Sequence, residues 1–110
     1  MLIVSKTILN LLTGRFADSI TIWPIIFIRS SHQLKYHTLI NHERIHLRQQ
    51  IELLIIFFYL WYFIEYLMNR IKSNDHFTAY RNIRFEKEAY DKESDLGYLK
   101  KRKYFAFLQY

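Results

Sequence analysis

The sequence predicts a small α+β domain that is mostly helical, built on one long helix with an N-terminal edge strand or short hairpin before it. Three observations predict this. Between Thr38 and Lys72 neither glycine nor proline interrupts the chain, which reads as a single helix. From Ile20 to Arg29 the run is dense in β-branched and aromatic residues, the composition of a strand. From Phe77 to Asp95, charges are interspersed with Ala79, Ile83, Phe85, Ala89 and Tyr90, the inward positions of a further helix. At 110 residues the chain is expected to form one domain, 1–110, in which site and scaffold share a core.

The elements follow in order. Leu2, Ile3, Ile8, Leu9, Leu11 and Leu12 pattern residues 2–12 as a short amphipathic helix that Gly14 ends. Pro24 interrupts the strand-like run, because proline cannot donate to a ladder, so the run is an edge strand or two short strands about a kink. Such an edge offers free backbone groups to an extended peptide. Arg29 to His37 is polar and reads as a loop. Thr38 or Asn41 is placed to cap the long helix through its side-chain oxygen. Within that helix, Leu53 to Ile64 is apolar all round but too short to span a bilayer, which points to a buried central helix. A chain this small covers such a helix poorly, leaving surface for a second copy or for a peripheral membrane contact. Ser73 to His76 forms a polar break, Gly97 marks the end of the following helix, and Tyr98 to Tyr110 forms a last short helix or ordered wrap.

Composition narrows the chemistry. Hydrophobic residues make up 51% of the chain, which excludes a disordered polypeptide. With no cysteine there is neither a disulfide framework nor a thiolate metal site, so any metal must be held by histidine and carboxylate. The net charge of +6 is scattered, apart from Lys100-Lys101-Arg102-Lys103, and that run reads as a solvated helix face; nucleic acid is not an expected partner. The apolar start, Met1 to Lys6, lacks a basic leader and a cleavage signal, so the expected compartment is the cytoplasm, with membrane association the option that the aromatic helix opens.

The long helix opens on His42-Glu43-Arg44-Ile45-His46, an H-E-x-x-H motif. Residues four apart share a helix face, so both imidazoles can reach one metal ion, and Glu43 stands beside that face as a general base. By composition alone the motif arises by chance in roughly one such chain in a hundred. A catalytic zinc needs a third protein ligand. Position 49 is Gln and position 52 is Glu, which excludes a third histidine at the short spacing. Among downstream carboxylates, Glu65 lies on the same helix about 30 Å further along and cannot reach the metal. Glu86, Glu88 and Glu93 stay open; Glu86 and Glu88 sit on a helix that can fold back, with Ala89 permitting close approach.

His42 to His46, followed by Phe85-Glu86-Lys87-Glu88-Ala89-Tyr90-Asp91, resembles the gluzincin clan of zinc metallopeptidases, above all its smallest members. The resemblance covers two motifs of about fifteen residues in all. It implies a minimal zincin-like fold whose downstream glutamate helix, often E-x-x-A-D, supplies the third ligand. Glu86 to Ala89 matches E-x-x-A, whereas Tyr90 stands where that form has Asp. The resemblance therefore assigns zinc to His42, His46 and Glu86, with Glu88 as the alternative, and makes Asp91 the acceptor that orients a histidine. It implies hydrolysis of a peptide or protein substrate, with Glu43 catalytic and an oxyanion donor drawn from Tyr80, Tyr90, Arg81, His76 or His37. The rival expectation is a metal-binding or scaffold protein of the same fold that self-associates or meets a membrane surface through its aromatic helix.

Overall fold

Leu2 to Val4 form a strand, β1, because they find a parallel partner in residues 26–28, and the helix predicted over 2–12 starts only at Lys6. Ser5, extended, caps that helix: its hydroxyl accepts from the Ile8 N–H at 3.1 Å. Helix α1 (Lys6–Thr13) ends at Gly14, whose φ of +63° is the left-handed conformation that favours glycine. The computed structural model describes residues 1–14, 17–73 and 75–110. β2 (Ser19–Ile22) and β3 (Ile25–Ile28) are antiparallel and joined by Trp23 and Pro24, so the proline falls in the turn between two short strands. The sheet order is β1-β3-β2, which leaves β2 on one edge.

Helix α2 (His37–Glu52) lies between sheet and helices. Ile40 packs on Ile26 and Ile28, and Ile45 packs on Ala89 and Tyr98. Neither predicted cap serves. Thr38 and Asn41 both lie inside α2, which starts after Tyr36 with no side-chain cap, while Ser30 forms a capping box with Gln33 on the 3₁₀ turn before it. Asn41 instead donates to the Glu93 and Asp95 carbonyls at 2.9 and 3.0 Å, tying residues 93–95 to α2.

The single helix expected over 38–72 is broken. The Ile55 N–H reaches the Gln50 carbonyl and the Leu54 N–H the Ile51 carbonyl, the paired bonds of a Schellman ending, with Leu54 at φ 54° where glycine is usual. Ile55 follows at φ 66° in a tight γ-turn, an unfavourable conformation for a β-branched residue. Helix α3 (Ile56–Lys72) then leaves at 112° to α2. The turn sets Phe58 into a cluster with Ile83, Phe85 and Phe107, and packing there offsets the local strain. α3 is not the buried helix expected: Phe58 is its one buried residue, and Ile56, Leu60, Phe63, Leu67 and Ile71 form an exposed stripe. Among the described residues no single helix is long and apolar enough to cross a membrane.

The helix expected over 77–95 is two. α4 (His76–Arg81), capped by Asp75, stops at Asn82, and Ile83 takes an extended conformation that buries it in the aromatic cluster before α5 (Arg84–Lys92) begins. Gly97 therefore opens the short α6 (Tyr98–Lys101) instead of ending its predecessor. A final 3₁₀ turn, Ala106–Gln109, returns Phe107 to the core. The basic run is only partly a solvated face. Its three lysines are exposed, but Arg102 is buried between Glu52 and Glu88.

Candidate metal centre

Two faces of α2 and one face of α5 make the site. His42, His46 and Gln49 stand at i, i+4 and i+7 and face α5, whereas Glu43 and Gln50, seven apart, face β2. On α5, Glu86 points at the motif: its Oε1 lies 3.2 Å from His42 Nε2 and 3.1 Å from His46 Nε2, and the two Nε2 atoms are 3.2 Å apart. All three side chains are buried.

The surrounding hydrogen bonds decide what these atoms can do. Gln49 Nε2 donates to the Phe85 carbonyl and to Glu88 Oε1, so its Oε1 is turned toward His46 Nδ1 at 2.8 Å. An amide oxygen only accepts, so His46 carries its proton on Nδ1. His42 Nδ1 meets the Glu93 carboxylate at 3.2 Å, which fixes the same tautomer. Both Nε2 lone pairs therefore converge with a carboxylate oxygen, and like acceptors at such distances need positive charge between them. In the protein alone a proton supplies it. Burial disfavours the His46 cation, but the Glu86 carboxylate beside it raises its pKa to about 9. Burial likewise opposes the Glu86 charge, yet the His46 cation and the histidine hydrogen bonds hold that carboxyl well below its usual range.

A metal ion meets the same need. Ligand atoms about 2.0–2.1 Å from a tetrahedral ion lie roughly 3.3–3.4 Å from one another, close to the separations found here. His42, His46 and Glu86 thus form a buried group able to hold a metal ion, and the donor set does not by itself choose the element.

The other predicted residues separate clearly. Glu88, two residues from Glu86 and so on the opposite side of α5, meets Arg102, Tyr98 and Gln49. Asp91, expected to orient a histidine, is exposed and accepts from the Tyr110 hydroxyl at 2.8 Å. It lies about 140° round the helix from Glu86, whereas Glu93, seven residues on, returns to the same face. Tyr90 occupies the position of the missing Asp and packs edge-on against the His42 ring at 4.4 Å, held from behind by Arg81.

Glu43 accepts from Ser19 Oγ at 2.6 Å and from Thr21 Oγ1, so both its oxygens are anchored by β2. With His46 and Glu86 it lines a cavity of about 660 Å³. Of the five oxyanion candidates, Tyr80 and His76 line that cavity; Tyr90, Arg81 and His37 do not. Tyr62, which the sequence does not single out, reaches the site more directly: its hydroxyl donates to Glu86 Oε2 at 2.8 Å. Burial and the Glu86 charge push the Tyr62 pKa well up, so it remains a donor. The seven-residue spacings His42 to Gln49 and Glu86 to Glu93 were the available signals for the two supporting residues. No local signal marked Ser19, Thr21 or Tyr62, which arrive from other elements.

Comparison of the chain with protein-family models, curated proteins and solved structures finds no match. Support for the gluzincin resemblance beyond the sequence is the His42–His46–Glu86 cluster alone.

Proposed function

We propose that the chain is a zinc-dependent amide hydrolase of gluzincin type. His42, His46 and Glu86 hold the metal, and Glu43 is the general base. The observation that carries this reading is the cluster of two Nε2 lone pairs and a carboxylate oxygen beside a cavity that His46, Glu86 and the motif glutamate Glu43 line. Two imidazoles and a carboxylate are a common ligand set for catalytic zinc. When bound, zinc supplies a Lewis acid that polarises a carbonyl and acidifies water. The chain's own groups do the rest. Ser19 and Thr21 hold the Glu43 carboxylate in place to receive a proton from water and pass it to the leaving nitrogen. Tyr62 engages Glu86 Oε2 and leaves Oε1 toward the histidines. A peptide bond is the substrate class that the resemblance implies.

A second reading has its own support. Both Glu43 oxygens are already engaged by β2 hydroxyls, an arrangement equally suited to a metal-holding scaffold without turnover. Zinc titration followed by calorimetry, alongside cleavage of a fluorogenic peptide library, separates the two. The hydrolase reading expects zinc binding that H42A and H46A abolish, and an E43Q variant that keeps zinc but loses turnover by about 10²–10⁴-fold. Zinc binding without cleavage, and with E43Q indistinguishable from the parent, selects the scaffold; a chain indifferent to zinc ends both.

A further inference from the structure

The edge of β2, where an extended peptide would pair, is already occupied. The Thr21 carbonyl accepts from Gln50 Nε2 at 2.8 Å and from the Tyr59 hydroxyl at 2.9 Å, and the Trp23 N–H donates to Gln50 Oε1 at 2.7 Å. Gln50 is fully enclosed, so these bonds are not exchanged at a solvent surface. Strand addition beside the cluster would leave the Gln50 amide buried without partners, which disfavours that mode of binding.

The cavity suggests a different mode of entry. Its buried lining contains Glu43, His46, Glu86 and Phe58, whereas Leu12 at 48% exposure and Phe63 at 60% stand at the solvent side. Carboxylates and histidine therefore form the floor, and aliphatic and aromatic groups form the mouth. Among the described residues no lysine or arginine lines it, and the lining is mostly aliphatic and aromatic. Phe63 also belongs to the exposed stripe of α3, with Leu60 and Leu67 beside it, so a chain leaving the mouth passes onto apolar surface. A volume of about 660 Å³ lies well inside the range of small-molecule pockets.

We propose that this cavity is the subsite for an aliphatic acyl chain, and that the substrate of the site is an acyl amide whose carbonyl rests over the histidine–glutamate floor. The chemical fate of the substrate rests on the hydrolase reading above; binding of the chain does not. Hydrolysis adds water across the C–N bond: the acyl carbon gains the hydroxyl, the nitrogen leaves with the proton relayed by Glu43, and a fatty acid and an amine result.

The test uses the N-methylamide of cis-parinaric acid, an uncharged acyl amide whose polyene fluoresces when sheltered from water, added to the full chain with and without zinc. Leu12→Glu and Phe63→Glu place charge at the mouth on exposed positions, and Leu96→Glu places the same charge on an exposed residue outside the cavity lining. Saturable binding that both mouth variants weaken by at least about tenfold, and L96E leaves unchanged, is expected. Equal binding by all four proteins, or none by any, overturns the proposal. Binding from plain buffer identifies a dispersed acyl source, and binding only with phosphatidylcholine vesicles a membrane-resident one; either supports the subsite. Zinc uptake through His42 and His46 without binding of the parinaric amide removes the acyl subsite and spares the metal site, while binding of the amide without zinc uptake does the reverse.

Discussion

Glu86 and Glu88 stand two residues apart on α5, both buried, and their surroundings are opposite. Glu88 is surrounded by donors: Arg102 meets it through Nε and Nη2, the Tyr98 hydroxyl at 2.6 Å and Gln49 Nε2 at 2.9 Å. Arg102 also reaches Glu52 at 2.7 Å, so α2, α5 and the C-terminal segment share one buried ionic cluster, in which Glu52 Oε1 has no hydrogen-bond partner. Glu86 accepts from the Tyr62 hydroxyl and otherwise faces two imidazole nitrogens, where a proton or a metal ion must sit between the nitrogens and its own oxygen. A satisfied carboxylate is a structural device, whereas one left facing other acceptors is a place for a cation.

The largest effect expected from this contrast is on the Glu88 side. Glu88→Ala leaves Arg102, fully enclosed, with Glu52 alone, and should lower the unfolding free energy by about 3–5 kcal/mol in urea denaturation. The triple change Glu52→Gln, Glu88→Leu and Arg102→Met should recover much of that loss, because it removes all three charges of the cluster together. A single-variant loss below about 1 kcal/mol would erase the distinction between the two faces.

Glu86→Gln should behave in the opposite way. Without metal, His46 can shed its proton when its counter-charge goes, and the new amide still has an oxygen for Tyr62, so stability should change by less than about 1 kcal/mol. In zinc the variant should lose what the parent gains, about 2.7 kcal/mol at a free metal concentration a hundred times the dissociation constant. Melting curves with and without zinc read both quantities. A variant still stabilised by zinc would place the third ligand elsewhere.

What the sequence could announce was local. The two histidines four apart, the glutamate between them and the small Ala89 are spacing facts, and spacing survives folding. Which of Glu86 and Glu88 faces the histidines depends on which side of α5 meets α2, and in the structure Ile45 packs on Ala89 while Arg102 bonds Glu88 from the far side. Burial was the least legible property. In α2 the enclosed side chains include Asn41, His42, Glu43, His46, Gln49 and Gln50, while α3, the most apolar stretch of the chain, buries Phe58 alone. Hydropathy places these two segments the wrong way round, because α2 buries polar groups that bond to one another and to β2 and α5, whereas the small remainder of the chain cannot cover α3. The break between them was invisible for a related reason: Leu54 and Ile55 hold positive φ through the packing of Phe58, with no glycine to signal it.

The smallest expected effect separates Glu93 from Asp91. Both lie near the end of α5, and sequence resemblance favoured Asp91 for orienting a histidine, yet the helix carries it about 140° away from the Glu86 face and out to Tyr110. Glu93 returns to that face and meets His42 Nδ1 at 3.2 Å. Groups that fix a ligand histidine through its second nitrogen typically change metal affinity by about 10–100-fold when removed. Glu93→Ala should therefore weaken zinc binding within that range, with its main effect on affinity and little on metal-free stability. Asp91→Asn should leave zinc affinity unchanged and shift stability by no more than about 0.5 kcal/mol, since an exposed amide oxygen still accepts from Tyr110. Calorimetric titration of both variants decides the register: a loss at Asp91 with none at Glu93 would mean that α5 sits turned by more than a third of a revolution from the orientation that joins Glu86 to the two histidines.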